Sequence, residues 1–429
     1  MSLVARRGPA AAAGSRRQAL AALCVTEIVS YGVIYYAFPV LATQIAAGTG
    51  WSRAAVTLAY SAGNLAGAVA GIPAGRLLHR RGPRPLMTAA SALGAVSVAA
   101  IAAAPSYGWF IAAWLMAGIA SAGLFYPPAF AALTGWYGAR RVRALTTLTL
   151  AAGFASTIFA PLTSTLAAHL GWRGTYLALA AVLAAVTIPA HALFLRPSWA
   201  PGGAGPAPAA AGRDRQVLAS KAFLQMTAAA TLCAFAQYAA LVNLVPLLEG
   251  RGLSASLAAW GLGLGGAGQV AGRLCYRFLA SSRLGTRGRM AAIIAAGGAA
   301  TALLGLLPGP AALLVAVSFL AGAVRGVFTL TEATLVADYW GAERYAVING
   351  VFNAPLIAAG AIAPAAGGAI AAAAGSYPAL FSVLAVTAAA GAALAATAPA
   401  PAAGAGQPET SGGVGEPGGE QPDAAAELG

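Results

Sequence analysis

Twelve long apolar runs are the feature that most limits what this chain can fold into. A helix needs roughly 20 apolar residues, at about 1.5 Å of rise each, to cross a hydrocarbon layer about 30 Å thick. Each run is long enough for one such helix. Their approximate limits are 19–47, 54–78, 86–104, 109–134, 144–168, 174–195, 222–248, 255–280, 290–307, 311–337, 346–373 and 377–398. The sequence therefore predicts an all-α membrane protein with twelve transmembrane helices.

The composition excludes an ordinary soluble domain. Hydrophobic residues make up 59% of the 429 residues and charged residues only 8%, whereas soluble domains carry about 25% charged residues. The first run follows four arginines, as the apolar part of a secretion signal does. It is much longer than the roughly 7–15 apolar residues of such a signal, and similar runs follow it. We therefore expect it to remain as the first membrane helix.

The basic residues predict the orientation of the chain. The net charge is +14, but the bases lie in short clusters between apolar runs, which favours a membrane surface over nucleic acid as the partner. If both termini lie on one side, twenty-one Lys and Arg residues fall on that side and three on the other. Because basic residues accumulate in cytoplasmic loops, we expect both termini in the cytoplasm.

The chain divides into five segments by composition. The stretch 197–216 is rich in Pro, Gly and Ala, which is typical of a flexible linker. The last thirty residues contain five acids and no base, a pattern that favours disorder. The predicted segments are a cytoplasmic tail (1–18), a six-helix bundle (19–196), a flexible cytoplasmic linker (197–220), a second six-helix bundle (221–398) and a disordered acidic cytoplasmic tail (399–429).

The two bundles are similar in sequence. The stretch 73–80 recurs as 270–277, and Pro161 and Pro364 occupy corresponding positions. Because each bundle has an even number of helices, both copies have the same orientation in the membrane. We therefore expect two pseudo-symmetric bundles related by an axis along the membrane normal, as in parallel-repeat transporters.

Over residues 19–398 the chain resembles the major facilitator superfamily. The loop between helices two and three of this family has Gly, three residues, Asp, Arg, any residue, Gly and then basic residues. The matching residues here are Gly75, His79, Arg80, Gly82 and Arg84, with His79 in place of the Asp. In the family the Asp helps to lock the cytoplasmic side. The resemblance therefore implies a gating loop whose lock is either absent or dependent on histidine protonation.

Two comparisons within the family concern the substrate. Proton-driven exporters have an Arg in helix four and a Gly-Pro-x-x-Gly-Gly run in helix five. Helix four of this chain has no Arg in its first half, and helix five has Ala160-Pro161-Leu162-Thr163. The stretches 50–53 and 171–176 are similar to the monocarboxylate and oxalate/formate porter branch.

Three charged residues lie well inside predicted spans, away from their ends: Glu27 in the first, and Arg325 and Glu332 in the tenth. Such charges are costly in lipid and normally face the bundle interior; the resemblance places them on helices that line the family's central cavity. Arg325 keeps its proton, so it needs either a carboxylate or an anionic substrate. We expect an interaction between Glu27 and Arg325 for which substrate or a proton competes. Buried structural pairing is the alternative.

Polar residues on the cavity-lining helices are further candidates for substrate binding. A water-filled cavity or neighbouring helices would supply the partners that such groups need, and the sequence leaves both readings open. The candidates are Tyr31, Tyr35, Tyr36, Tyr126, Gln237, Tyr238 and Asn243. We expect His169 and His191 at the membrane interface.

Glycines recur along two helices at intervals of three or four residues, which leaves a stripe where another backbone can approach. Such stripes allow helices to slide past each other, or serve tight packing alone. The glycines concerned are Gly63, Gly67 and Gly71 in the second helix, and Gly261, Gly265, Gly268 and Gly272 in the eighth.

These features predict a secondary active transporter that moves a small solute by alternating access. We expect proton coupling and favour a small, monocarboxylate-like anion; proton-antiport export of drug-like amphipathic compounds is the alternative. The spans lack a zinc-protease motif and a phosphate-binding loop, and the three cysteines lie far apart, so we expect no enzyme, cofactor or metal site. We expect a monomeric, multi-pass protein of the cell (inner) membrane, from a bacterium because arginine replaces nearly all lysine.

Overall fold

The computed structural model describes residues 9–199, 211–280, 284–340 and 345–399, and the regular secondary structure in these ranges is entirely helical. The first part contains α1 (Pro9–Ser30), a π-helix (Tyr31–Tyr36), α2 (Ala37–Thr49), α3 (Arg53–Arg81), α4 (Pro83–Ala102), α5 (Tyr107–Leu124), α6 (Tyr126–Tyr137), a 3-10 turn (Gly138–Arg140), α7 (Arg141–Ala152) and α8 (Ala155–Phe194). The second part contains α9 (Ala211–Leu218), α10 (Lys221–Gly250), α11 (Ala255–Ala280), α12 (Thr286–Leu306), α13 (Ala311–Trp340), α14 (Tyr345–Ala373) and α15 (Tyr377–Thr397).

Ten helical stretches of the described residues are long and apolar enough to cross a membrane. One of them, Arg143–Phe194, is 52 residues long. It contains Gly171 with φ 63° and ψ 176°, a non-helical conformation that breaks the helix. The runs 144–168 and 174–195 lie on either side of this break. The predicted run 255–280 corresponds to α11, which is not among the ten, so the number of twelve spans stays a prediction.

The outer surface of these helices is apolar. Val69, Ile72, Leu306 and Val386, on long apolar helices, are each 64–70% exposed. Exposed apolar side chains on helices of this length agree with a surface that faces lipid.

Serine residues define the starts of several helices. The side chain of Ser52 accepts a hydrogen bond from the backbone N–H of Ala55, which caps α3. Ser106, Ser220 and Ser376 cap α5, α10 and α15 in the same way. Each serine satisfies a backbone donor that the helix itself leaves free.

The predicted bundles meet mainly along two pairs of helices: α3 packs against α14, and α8 packs against α11. At the first contact the backbone N–H of Ala365 donates to Ser61 Oγ at 2.9 Å. At the second, Thr157 Oγ1 donates to the Gly263 carbonyl at 2.9 Å. Residues 1–8 of the predicted N-terminal tail, 200–210 of the linker and 400–429 of the acidic tail lie outside the described residues. Helix α9 lies within the predicted linker.

Candidate functional site

The first membrane helix changes its geometry at the predicted binding residues. Tyr31–Tyr36 forms a π-helical segment between α1 and α2. Such turns shift the following side chains around the helix and are frequent at functional sites. Gly32 lies directly against the ring of Phe159 in α8, where a Cβ atom would collide with the ring. Packing against α8 therefore holds the tyrosines of this segment in place.

Tyr31, Tyr35 and Tyr36 form an aromatic cluster with Tyr126 and Tyr238. Ring centroids lie 6.1 Å apart for Tyr31 and Tyr35, and 5.0 Å apart for Tyr35 and Tyr36. Tyr31 approaches Tyr126 at 4.9 Å, and Tyr35 approaches Tyr238 of α10 at 6.5 Å. Tyr238 is 40% exposed although it lies in the middle of a 30-residue helix. The cluster thus joins three predicted lining helices, and Tyr238 is its accessible member.

Two other aromatic residues belong to this cluster. Phe125 stacks on Tyr31 at 4.1 Å, and Tyr60, stacked on Phe38 at 4.0 Å, lies 6.2 Å from Tyr35. Phe125 occupies the break between α5 and α6, where the following Pro127-Pro128 pair provides no backbone donors. Sequence reasoning missed both residues. The proline pair is a signal that could have pointed to Phe125, whereas we find no such signal in the sequence for Tyr60.

Arg325 of α13 lies beside Tyr35 and Tyr238 of the cluster. Its guanidinium donates a long, 3.5 Å hydrogen bond to Gln269 Oε1 of α11. Its charge acts on Tyr35 and Tyr238. Arg325 is therefore close to the rings at which the two predicted bundles meet.

Glu27 lies beside Tyr31 and Tyr126 of the cluster. It is 0% exposed, and neither carboxylate oxygen has a hydrogen-bond partner among the described residues. Cys24, Tyr31 and Tyr126 are its neighbours. The described residues show no hydrogen bond or ion pair between Glu27 and Arg325, so their pairing stays a prediction.

The remaining candidates differ in their surroundings. Gln237 donates to Cys233 Sγ at 3.1 Å, and the charge of Glu332 acts on Cys233 and Tyr238. Asn243 is 2% exposed and donates to a backbone carbonyl of its own helix at 2.9 Å. Gln237 and Glu332 thus lie beside the cluster, whereas Asn243 already has a partner within α10.

Arg273 is a candidate that sequence reasoning missed. We expected it among the bases of the cytoplasmic segments, but α11 continues to Ala280, and Arg273 is only 7% exposed. It donates to the backbone carbonyl of Thr149 in α7 and lies close to Tyr126. Arg76, its counterpart in the repeat, is exposed. Arg273 adjoins a cavity of about 460 Å³. The residues that line this cavity are Thr146, Thr149, Leu150, Arg273, Leu274 and Leu330.

The predicted gating loop is largely helical: it covers the last two turns of α3, Gly82, and the first turn of α4. Its residues are Gly75, His79, Arg80, Gly82 and Arg84. Gly82 has φ 80°, which allows the chain to reverse. His79, Arg80 and Arg84 are exposed. The backbone carbonyl of His79 accepts a hydrogen bond from Trp199 Nε1 at 3.1 Å, so the segment after α8 covers this loop.

The predicted outer ends of the helices are joined by a polar cluster. Thr43 Oγ1 of α2 donates to Glu249 Oε2 of α10 at 3.1 Å. Arg53 donates to Thr43, and its guanidinium lies 5.4 Å from the ring centre of Tyr377 in α15. We call Thr43, Arg53, Glu249 and Tyr377 the outer cluster; it links the two predicted bundles.

The predicted glycine stripes lie mostly in close helix contacts. The glycines that approach the backbone of a neighbouring helix are Gly63, Gly67, Gly265, Gly268 and Gly272. Gly261 meets the side chain of Leu248 instead, and Gly71 faces open space. On α13, Gly322 and Gly326 approach the backbone of α11 equally closely. The contact of α11 with α13 therefore depends on glycines from both helices.

His191 is buried rather than interfacial. It is 0% exposed, with Nδ1 2.8 Å from Ser91 Oγ and Nε2 3.0 Å from Thr26 Oγ1. The hydroxyls of Ser91 and Thr26 also contact the backbone carbonyls of Met87 and Leu23 in their own helices. His191 therefore joins α8, α4 and α1 next to Glu27.

The comparisons with known proteins agree with this architecture. The family model described as Major Facilitator Superfamily matches residues 23–314. The chain belongs to this superfamily. The comparison with curated protein sequences finds no match.

Solved structures of other Major Facilitator Superfamily transporters have the same fold. An inward-facing and occupied form of a bacterial homolog to the human lysosomal transporter Spinster matches with a TM-score of 0.67 and 16% identity, covering 89% of this chain and 94% of that chain. The inward-facing and unoccupied form matches with the same TM-score and coverage and 17% identity. As a member of the Major Facilitator Superfamily, this chain is an integral, multi-pass membrane protein that transports a small solute.

Proposed function

We propose that this chain is a secondary active transporter of a small, monocarboxylate-like organic anion, coupled to protons. The observation that carries this proposal is the position of Arg325. Its guanidinium stays charged, lies near Tyr35 and Tyr238, and has a 3.5 Å contact with the amide oxygen of Gln269. The described residues contain one ion pair, which does not involve Arg325. A guanidinium that lacks a carboxylate partner in a membrane protein's interior favours an anionic ligand.

The aromatic cluster supplies the rest of the binding site in this proposal. A carboxylate next to Arg325 accepts charge-assisted hydrogen bonds from its planar N–H groups. The hydroxyls of Tyr35 and Tyr238 can donate to the same carboxylate, and the rings cover the apolar part of a small substrate. The 40% exposure of Tyr238 supports an accessible space at this point.

Glu27 is the group that we assign to proton coupling. An ionised carboxylate without a partner is costly in a buried, apolar environment, so Glu27 holds a proton in the conformation described. A rearrangement that admits water to Glu27 allows the proton to leave. Glu332, which lies near Tyr238, is the second candidate for this role.

Alternating access requires contacts that form and break in turn at the two ends of the molecule. The outer cluster is one such set, because it joins α2 to α10 and α15. The contact of Arg273 with the Thr149 carbonyl is the other, because it joins α11 to α7 toward the opposite end. We assign these two sets to the outer and inner gates.

Uptake of labelled small carboxylates into proteoliposomes tests the proposal. Arg325→Gln should reduce uptake at least about tenfold, since one charged hydrogen bond is worth about 1.5–3 kcal/mol. Arg325→Lys should retain part of it because the charge remains. Arg215→Gln, at an exposed position of α9, is the matched control. Carboxylate uptake by Arg325→Gln at the wild-type rate would contradict the proposal.

The alternative is proton-antiport export of amphipathic, drug-like compounds. The observation that favours it is the row of rings beside Glu27, in which Tyr31 stacks on Phe125 at 4.1 Å and Tyr126 stacks on Phe130 at 4.9 Å. Such faces bind flat or cationic aromatic compounds. Efflux of a lipophilic cationic dye that survives Arg325→Gln but not Phe125→Ala would favour this function over anion transport.

The setting that we propose for this activity is the inner membrane of a bacterium. Both termini lie in the cytoplasm in this proposal, and the chain acts as a monomer. Support comes from the distribution of the basic residues and from the near absence of lysine. Protease access to the two termini in inside-out and right-side-out vesicles tests the orientation.

A further inference from the structure

Four arginines converge on a pocket at the end of the molecule where the first membrane helix begins. Arg16 and Arg17 come from α1, Arg140 from the 3-10 turn and Arg143 from α7. The pocket has a volume of about 300 Å³. All four arginines are exposed, so a ligand can reach their charged groups. We call this the arginine pocket.

The pocket is held together by a hydrogen bond between its walls. The hydroxyl of Tyr137, at the end of α6, donates to the backbone carbonyl of Arg16 at 3.1 Å. This bond fixes α1 against the segment that carries Arg140 and Arg143. The concave shape therefore exists without a ligand.

The positive charge of the pocket has no acidic neighbour in this part of the chain. Glu27 is the only acidic residue among the described residues 9–199, and it is fully buried. Four arginines that repel one another across a small pocket are stabilised by a bound anion. The ligand that fits this pocket is therefore anionic.

The position of the pocket relative to the membrane identifies the source of the anion. Two candidate membrane helices begin at Ser15 and Arg143, and a third ends at Tyr137. The arginines thus lie where these helices enter the headgroup region. The lining also contains Leu20 and Ala144, which follow Arg17 and Arg143 along α1 and α7 in the direction of the apolar spans.

We infer that the arginine pocket binds the phosphate group of an anionic membrane phospholipid. Guanidinium groups form paired hydrogen bonds with phosphate oxygens, and basic pockets between membrane helices suit anionic headgroups. Leu20 and Ala144 provide the apolar surface along which an acyl chain leaves the headgroup. A soluble phosphate ester shares the headgroup chemistry but has no chain to use that surface.

Binding of defined lipids to the purified full-length protein in neutral detergent tests this assignment. The probes are phosphatidylglycerol, phosphatidylcholine with the same chains, and glycerol 3-phosphate, with occupancy measured by native mass spectrometry. The protein should prefer phosphatidylglycerol. Arg140→Gln combined with Arg143→Gln should weaken this binding about 25-fold, since each base near an anionic headgroup contributes about fivefold.

The matched control is Arg215→Gln combined with Lys221→Gln, which removes two exposed bases outside the pocket. It should leave the affinity for phosphatidylglycerol unchanged. Arg16→Gln combined with Arg17→Gln removes two charges without altering α7, and it should weaken binding as strongly as the first pair. This second variant tests the site even if the changes in α7 disturb folding.

Three results would overturn the assignment. Equal losses in the pocket variants and the control would show diffuse attraction to the charged surface. Equal binding of phosphatidylcholine and phosphatidylglycerol would remove the role of the headgroup charge. Full displacement of phosphatidylglycerol by an equal concentration of glycerol 3-phosphate would identify a soluble phosphate ester as the ligand.

Discussion

The hydroxyl of Thr43 donates a 3.1 Å hydrogen bond to the carboxylate of Glu249. The two residues belong to different predicted bundles and lie at the same end of the molecule. Because Arg53 donates to the same threonine, the base and the acid are linked through one hydroxyl group. The outer cluster is therefore suited to form and break reversibly, because it is polar, partly exposed and shared between the two predicted bundles.

Glu249→Gln should make the predicted outer side open more often. The substitution removes the negative charge of Glu249, which attracts the Arg53 guanidinium across the Thr43 hydroxyl. Such a partly exposed charge interaction is worth roughly 1 kcal/mol. Maleimide labelling of Thr57→Cys, a buried position of α3 near the outer cluster, should become about fivefold faster. The three native cysteines are replaced by serine in all variants.

Asp338→Asn is the control for this experiment. It breaks the 3.1 Å ion pair with Arg289, which lies between α12 and α13 within one predicted bundle. Labelling at Thr57→Cys should stay at its starting rate. Equal acceleration by Asp338→Asn would show a general loosening of the protein and contradict a gating role of the outer cluster.

Arg273→Gln should lower the free energy of unfolding by about 1–3 kcal/mol, since it leaves the Thr149 carbonyl without its charged donor. Arg76→Gln changes the corresponding exposed residue of the repeat and should stay within about 0.5 kcal/mol. Thermal unfolding in detergent measures both. Equal shifts in the two variants would contradict the difference in burial.

Gly268→Ala should destabilise the protein by about 1–3 kcal/mol because the new methyl group meets the backbone of Phe319. Gly71 faces open space in the middle of α3, so Gly71→Ala should be neutral or stabilise the helix by up to about 1 kcal/mol. A change from Gly to Ala should thus lower the stability of the protein at Gly268 but not at Gly71. Unfolding of both variants by heat in the same detergent is the measurement, and destabilisation by Gly71→Ala would be the contradictory result.

His191→Phe should destabilise the protein by about 1–3 kcal/mol. It removes the two hydrogen bonds that tie α8 to Ser91 and Thr26, and buried bonds between membrane helices average about 0.6 kcal/mol each, with desolvation of the two hydroxyls in addition. His169→Phe, at an exposed position, should have little effect. Chemical or thermal unfolding of the two variants side by side would show whether they differ as expected.

The positions of the helices could be predicted because the thickness of the bilayer fixes their length. The run 377–398, for example, corresponds to α15 at Tyr377–Thr397. The neighbours of a charged side chain within the helix bundle could not be predicted in this way. Glu27 and Arg325 lie on predicted lining helices, but the neighbours of each side chain depend on helix rotation and on the π-helical turn, which no periodicity in the sequence indicates. The burial of Arg273 likewise depends on how α11 packs against α7.

The most direct test of the account is the pH inside proteoliposomes that contain the protein, challenged with small carboxylates, amino acids and cationic dyes under a fixed gradient. The account predicts a proton signal with a carboxylate that is lost in both Glu27→Gln and Arg325→Gln. A proton signal with lipophilic cations alone, unchanged in Arg325→Gln, would contradict anion transport and leave Arg325 with a structural role.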